Sequence, residues 1–170
     1  MRTLSFLSLF ALTASAVANG QPLSFRHDVL PVLSKAGCNA GGCHGALAGK
    51  GGFRLSLNAY DPATDHYNIT RGNRGRRIEF AAPARSLFVI KPTAAVRHKG
   101  GKVLHENSED YKLLIEWVQQ GAPGPSPDDP ELKRIEITPS LSQLKKGDTQ
   151  RLMVRAHRVT SRLVPSPKKA

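Results

Sequence analysis

Hydrophobic residues recur at helical spacing in two runs of the chain, residues 25–37 and residues 108–120. The first run predicts a short helix that Gly37 ends, and the second predicts the most regular helix of the chain. Ser108 is a suitable N-cap for this second helix and Gly121 a suitable C-cap. The apolar faces consist of Phe25, Val29, Val32 and Leu33 in the first run and Tyr111, Leu114, Ile115 and Val118 in the second.

Alternating apolar and polar residues predict two β-strands near the end of the chain, at residues 134–139 and 150–156. A turn at residues 146–148 lies between them, and the pair is typical of the opening of a β-sandwich. A linker rich in proline, glycine and aspartate, residues 121–130, separates the strands from the second helix. Residues 61–85 show neither period, so we predict an irregular and basic segment there.

The first 18 residues have the pattern of a secretory signal peptide. Arg2 supplies the positive charge, residues 4–12 form a short apolar run, and residues 16–18 form a cleavage site that leaves Asn19 as the first mature residue. A membrane anchor would need about 20 apolar residues, and this run is shorter. We therefore predict export to the periplasm or the cell surface, with no membrane span after signal cleavage.

Cys38 and Cys43 are the only cysteines of the chain, and His44 follows them directly. Two thiols followed by an imidazole form the arrangement that attaches haem covalently. The thiols add to the two vinyl groups, and the histidine binds the iron as proximal ligand. Four residues separate the cysteines here, whereas two is the usual spacing. Attachment of this kind takes place outside the cytoplasmic membrane, so the signal peptide and the motif support each other.

Two other interpretations of the cysteines stay open. In an oxidising compartment Cys38 and Cys43 can form a small structural disulfide, and the protein would then be a haem-free secreted binding or adhesion module. A zinc site would need two more ligands, which His66, His98 or His105 could supply. The local residues alone therefore leave haem, a disulfide and zinc as candidates.

A six-coordinate haem iron needs a second protein ligand. Methionine often has this role in small electron-transfer cytochromes, but Met153 is the only methionine of the mature chain and lies beyond the linker. A histidine is therefore the expected second ligand. The candidates are His27, His66, His98 and His105. The last two precede the second predicted helix, which is where a distal ligand is expected if that helix packs across the first.

The chain is strongly basic, with 25 basic and 13 acidic residues and a net charge of +12. Much of the excess lies in residues 71–102, where Glu79 is the one acidic residue. A basic stripe can bind nucleic acid, but export and the shortage of aromatic side chains for base stacking argue against it. The favoured roles are solvated surface, contact with haem propionates, or docking to an acidic redox partner protein.

Five sequence motifs between Phe25 and Pro123 resemble those of the cytochrome c-like domains of large, secreted, planctomycete-type proteins. They are CNAGGCHG at residues 38–45, GGFRLSL at 51–57, PARSLFVIKPT at 83–93, HKGGK at 98–102 and DYKLLIEWVQQGAP at 110–123. Many such domains carry a Met-Pro-Pro motif before the tryptophan of their last helix, and its methionine is the distal ligand. His98 lies at the corresponding place before Trp117, so the resemblance implies a bis-histidine haem held by His44 and His98.

The resemblance also implies a mainly α fold: a cytochrome c-like domain whose N- and C-terminal helices pack near a haem, followed by an incomplete β-sandwich. Residues 133–160 resemble the start of a bacterial immunoglobulin-like domain. The predicted organisation is a signal peptide at residues 1–18, the haem domain at 19–123, a linker at 124–132, and a truncated immunoglobulin-like segment or disordered basic tail at 133–170. The candidates for the apolar haem wall are Phe25, Leu30, Leu55, Leu87, Leu114 and Trp117.

The predicted function is that of a secreted or periplasmic monohaem c-type cytochrome domain for electron transfer or redox sensing, with one haem c as cofactor. Cys38 and Cys43 would form the thioethers, His44 would be the proximal iron ligand and His98 the distal one. With two strong ligands and no open position, the domain is expected to carry electrons and to be no enzyme itself.

Overall fold

A computed structural model describes residues 22–159 of the 170-residue chain. The predicted signal peptide, residues 1–18, lies outside the described residues. The elements in chain order are a π-helical turn at Phe25–Val29, α1 (Leu30–Lys35), a 3-10 turn at Leu57–Ala59, α2 (Pro62–Thr70), a 3-10 turn at Pro83–Arg85, α3 (Leu87–Ile90), α4 (Glu109–Gln119), β1 (Glu131–Thr138) and β2 (Met153–Val159).

The prediction of a mainly α fold is wrong. The described residues contain four short α-helices and a two-stranded antiparallel sheet, and residues 36–56 and 71–82 run through turns and loops without a helix. Composition supplies the physical reason, because the chain has 15 glycines and 12 prolines. Both residue types destabilise a helix interior, glycine through its backbone entropy and proline through its missing N–H.

The strongest helix prediction is confirmed by α4. Ser108 is its N-cap, because Ser108 Oγ accepts a hydrogen bond from the Tyr111 backbone N–H at 3.2 Å. The buried residues of the helix are Leu114, Trp117 and Val118. Within residues 22–159, α4 and the other helices lack the length and apolar content that crossing a membrane requires.

α2 occupies a segment that we predicted to be irregular. Asp61 caps this helix, because its Oδ1 accepts a hydrogen bond from the Thr64 N–H at 3.0 Å, and Pro62 lies in the first turn. Asp65 is fully buried, and its carboxylate accepts hydrogen bonds from both the N–H and the hydroxyl of Ser56. These bonds attach α2 to the loop that follows the cysteine motif.

Trp117 lies at the centre of the core. Its side chain is 0% exposed, and its ring centre is 5.6 Å from that of Phe25 and 5.9 Å from that of Phe88. The indole Nε1–H donates to the Pro123 carbonyl oxygen at 3.0 Å, so the buried ring keeps a hydrogen-bond partner. The contact with Phe25 holds the turn before α1 against α4.

Polar contacts join the segment before α1 to the segment after α4. Ser24 Oγ donates to Asp129 Oδ1 at 2.7 Å, and Arg26 forms an ion pair with the same carboxylate at 3.5 Å. The Leu23 N–H donates to Gln120 Oε1 at 2.8 Å. The chain therefore returns to the start of α1 before the hairpin begins.

β1 and β2 confirm both predicted strands. They pair antiparallel, with Glu131 opposite Val159 and Thr138 opposite Met153, and an irregularity of the register follows Leu132. In the described part of the chain these two strands form a hairpin, and no second sheet lies over it. The segment from residue 160 onward, which the immunoglobulin-like prediction also covers, lies outside the described residues.

Candidate functional site

The cysteine motif forms a tight loop directly after α1. The Cys38 N–H donates to the Leu33 carbonyl oxygen of α1 at 2.8 Å, and the His44 N–H donates to the Cys38 carbonyl oxygen at 2.9 Å. The second bond closes the loop. Asn39 is buried inside it, whereas both glycines of the spacer are exposed. The unusual four-residue spacer therefore bulges into solvent without separating the ends of the motif.

Gly45 determines how the chain leaves this loop. A Cβ at this position would overlap the Asn39 carbonyl oxygen, so any other residue requires the backbone to move. Asn39 is fixed in turn, because its Nδ2 donates to Ser34 Oγ at 2.8 Å. The Leu55 N–H donates to the His44 carbonyl oxygen at 2.8 Å. The backbone of His44 is thus held from both sides.

Both cysteines are free, half-buried thiols. Burial, and after it the neighbouring Cys43, raises the pKa of the Cys38 thiol to about 11. Cys38 is therefore a neutral thiol at physiological pH. Disulfide exchange needs a thiolate, so this environment suppresses that reaction at Cys38.

The His44 ring is oriented by Phe53. His44 Nδ1 lies 3.0 Å from the Phe53 carbonyl oxygen, and the two ring centres are 4.6 Å apart. A carbonyl oxygen only accepts hydrogen bonds, so Nδ1 carries the proton. Burial lowers the pKa of His44, hydrogen bonds to the backbone at Phe53 and Lys50 raise it, and the neighbouring His98 and Arg77 lower it. A neutral imidazole that donates from Nδ1 has its lone pair on Nε2, which is the form that binds a metal ion.

His98 is held in the same way in a glycine turn. Its Nδ1 donates to the Gly101 carbonyl oxygen at 2.8 Å, while the Gly101 N–H donates to the His98 carbonyl oxygen at 3.1 Å. Gly101 has a φ of +75°, a left-handed conformation that favours glycine. A Cβ on Gly100 would lie 2.9 Å from His98 Cε1, so the ring rests directly on that glycine. As at His44, Nε2 is left as the free nitrogen.

The fold brings His44 and His98 together. Their ring centres are 6.3 Å apart and their planes differ by 15°. With metal–nitrogen bonds of about 2 Å and about 1.2 Å from each nitrogen to its ring centre, two imidazoles on opposite sides of one metal ion have centres about 6.4 Å apart. The observed separation is close to this value, so the two rings are near enough to contribute to one metal site.

The other three candidate histidines have different surroundings. His66 lies on α2 among the core aromatics, 5.2 Å from the Phe25 ring centre, and its Nε2 donates to the Ala122 carbonyl oxygen at 2.8 Å. His27 lines a shallow cavity beside α1, and His105 is an exposed residue before α4. Of the four candidates, His98 is the one whose ring pairs with His44.

The residues predicted to form an apolar haem wall are mostly core residues. Five of the six are buried in one hydrophobic cluster and the sixth is half-buried. The buried ones are Phe25, Leu30, Leu55, Leu114 and Trp117, and the half-buried one is Leu87. The five buried side chains belong to the core, which supports the loops that carry the candidate ligands.

Three exposed apolar side chains lie close to the candidate ligands along the chain. Leu47, soon after His44, is 85% exposed, and Val96, just before His98, is 37% exposed. Leu57 is 52% exposed and reaches the cysteine loop, because its Cδ1 would lie 3.8 Å from a Cβ at position 41. A flat apolar cofactor at the histidine pair would remove such side chains from water.

Arg77 supports the His44 side of the candidate site, and sequence reasoning missed it. Its guanidinium carbon lies 4.5 Å from the centre of the Phe53 ring, and its Nη2 donates to the Gly52 carbonyl oxygen at 2.9 Å. Its Nη1 donates to the carbonyl oxygens of Asn68 at 2.9 Å and Gly72 at 2.8 Å. One side chain therefore connects the end of α2 to the residue that orients His44.

In the part of the chain that the structure describes, no three histidine, cysteine or carboxylate side chains are grouped so that they could hold a metal ion by themselves. The histidine pair supplies two ligands. Comparison with protein-family models, curated proteins and solved structures finds no match for this chain. The residues of this site are therefore the basis for proposing a function.

Proposed function

We propose that the chain is an exported, monohaem c-type cytochrome domain of the planctomycete type that carries or senses single electrons. The observation that carries this proposal is the histidine pair. The ring centres of His44 and His98 are 6.3 Å apart. Each ring donates a hydrogen bond from Nδ1 to a backbone carbonyl oxygen, which leaves Nε2 for a metal ion.

The donor set fits haem c. A haem iron takes four of its six ligands from the porphyrin and needs two from the protein, which the histidine pair supplies. Cys38 and Cys43 would add their S–H groups across the two vinyl double bonds, with sulfur bonding to one carbon and hydrogen to the other. When bound, haem supplies one-electron oxidation and reduction at its iron.

Residues of this chain would hold the haem through two fixed imidazoles. His44 is fixed through its backbone and through Phe53, while His98 is fixed by the glycine turn at residues 98–101. Leu47, Leu57 and Val96 would cover the apolar faces. With two imidazole ligands there is no open position for a substrate, which favours electron transfer over turnover.

Intact mass and an optical spectrum test the proposal. The protein should be exported by cells that have haem-attachment machinery, and its mass should exceed the mature polypeptide by roughly 616 Da for one covalent haem. A Soret band should survive acid-acetone extraction. The matched control is Cys38→Ser with Cys43→Ser, which should lose the added mass.

The alternative is a haem-free secreted binding or adhesion module with a Cys38–Cys43 disulfide. It predicts a colourless protein whose mass is roughly 2 Da below that of the reduced polypeptide. A coloured wild-type protein with the added mass supports the cytochrome. A colourless protein without the added mass supports the haem-free module.

We also propose an acidic one-electron carrier protein as the partner. Arg97 and Lys99 flank His98 and are exposed, and Lys102 follows with an ion pair to Glu106 at 3.8 Å. Opposite charges accelerate association, and salt screens the attraction. The rate of electron transfer to an acidic carrier should therefore fall about tenfold when the salt concentration rises from about 10 to 200 mM.

A charge-reversed pair checks this surface. Arg97→Glu with Lys99→Glu should slow the reaction at low salt and remove most of its salt dependence. The matched control is Lys145→Glu with Lys146→Glu, which changes the net charge equally in the exposed loop between β1 and β2. Equal slowing by the two pairs would contradict docking beside His98.

A further inference from the structure

Arg77 is a buried cation that has no acidic partner among the residues that the structure describes. The residue is 9% exposed, and its guanidinium donates to three backbone carbonyl oxygens. None of the ion pairs formed within residues 22–159 includes it. Burying a charge without an opposite charge is costly, and the carbonyl oxygens at the end of α2 offset part of that cost because a helix C-terminus favours a cation.

The charge lies near the proximal ligand. The guanidinium carbon is 4.5 Å from the Phe53 ring centre, and that centre is 4.6 Å from the His44 ring centre. Because the two distances share the Phe53 ring, the guanidinium lies no more than about 9.1 Å from the His44 ring. The Phe53 carbonyl, which fixes the His44 tautomer, belongs to the residue on which the guanidinium stacks.

We infer that Arg77 is a positioning residue for His44 and that its buried charge raises the reduction potential of the iron. This inference rests on the proposed haem function. Through Gly52 and Phe53, the guanidinium fork keeps the carbonyl oxygen in place for His44 Nδ1. Through space, the positive charge favours the reduced state, because reduction adds one negative charge to the site.

The size of the charge effect follows from Coulomb's law. An iron bound to His44 would lie at most about 12 Å from the guanidinium, because the ring centre is at most about 9.1 Å away and a bound metal lies about 3 Å from the ring centre. At an effective dielectric constant of about 20, a unit charge at that distance changes a one-electron equilibrium constant about tenfold. Tenfold corresponds to about 59 mV for one electron.

The test compares Arg77→Gln with Arg76→Gln in the haem-loaded protein. Both variants remove one positive charge at neighbouring positions, but Arg76 is exposed and solvent screens it. A redox titration should show the reduction equilibrium constant falling about tenfold in Arg77→Gln and less than about twofold in Arg76→Gln. Equal shifts in the two variants would overturn the charge part of the inference.

Arg77→Lys separates positioning from charge and covers the case in which Arg77→Gln does not fold. Lysine keeps the charge but loses the planar fork. The reduction potential of Arg77→Lys should stay near the wild-type value. NMR of the diamagnetic reduced protein should show the His44 Nδ1–H proton exchanging with solvent at least about tenfold faster than in the wild type. Unchanged exchange would show that Arg77 does not position His44.

The same experiment separates this inference from the function on which it rests. A wild-type protein without covalent haem overturns the proposed function, and the inference with it. If the wild-type protein has low-spin haem but the Arg77 variants leave its reduction potential and proton exchange unchanged, the inference alone is overturned.

Discussion

Replacing His98 by alanine should abolish the low-spin spectrum of the haem protein and leave the covalent attachment intact. The imidazole of His98 is the second iron ligand in the proposed site, and alanine leaves that position to water or to an added ligand. Oxidised and reduced optical spectra would show the change of spin state, and intact mass would show that haem is still attached. Added imidazole should restore the low-spin bands.

Two further variants sharpen this result. His105→Ala removes an exposed histidine before α4 and should leave the spectrum unchanged. His98→Met should keep the iron six-coordinate and raise its reduction potential, because methionine ligation raises it relative to histidine. A low-spin spectrum that persists in His98→Ala without added ligand would exclude His98 as the distal ligand and return the assignment to the other histidines.

Replacing Trp117 by alanine should cost about 3–5 kcal/mol of the free energy of unfolding, the range for large aromatic side chains removed from a core. The indole is fully buried between Phe25 and Phe88, and its Nε1–H bonds the Pro123 carbonyl oxygen. Alanine would leave a cavity and an unpaired carbonyl. In a small domain this loss takes most of the stability.

Urea denaturation followed by far-UV circular dichroism measures this loss, because Trp117 is the only tryptophan and its fluorescence disappears with it. Tyr67→Ala is the control: Tyr67 is 60% exposed on α2, and its removal should change stability by no more than about 0.5 kcal/mol. A cost below about 1 kcal/mol for Trp117→Ala would contradict its central place in the core.

Local signals were sufficient for some elements of the fold. α4 and the two strands follow from a cap, an apolar face and strict alternation, all of which act over a few residues. α2 was missed because it has almost no apolar stripe. Its signals were the Asp61 cap and Pro62, and the element is anchored by the buried carboxylate of Asp65 instead of by a hydrophobic face.

The mainly α prediction was wrong for a related reason. The resemblance supplied a helical architecture, whereas the glycine-rich segments after Cys43 and around residue 75 form turns. The apolar haem wall remains a prediction, because five of its six residues lie in the hydrophobic core, where burial alone accounts for them. Leucines such as Leu55 and Leu114 show the same sequence pattern whether their side chains contact a cofactor or other core residues.

The sequence by itself determined which residues form the candidate site: two thiols followed by a histidine, and four further histidines from which a second ligand could come. Only the tertiary structure decided that His98 lies beside His44, that both rings use Nδ1 on backbone carbonyls, and that Arg77 is buried among several exposed arginines. The physical reason is the sequence separation over which each kind of interaction acts. Caps, turns and motif spacing are encoded within a few residues, whereas ring pairing and burial depend on which distant loops the core brings together.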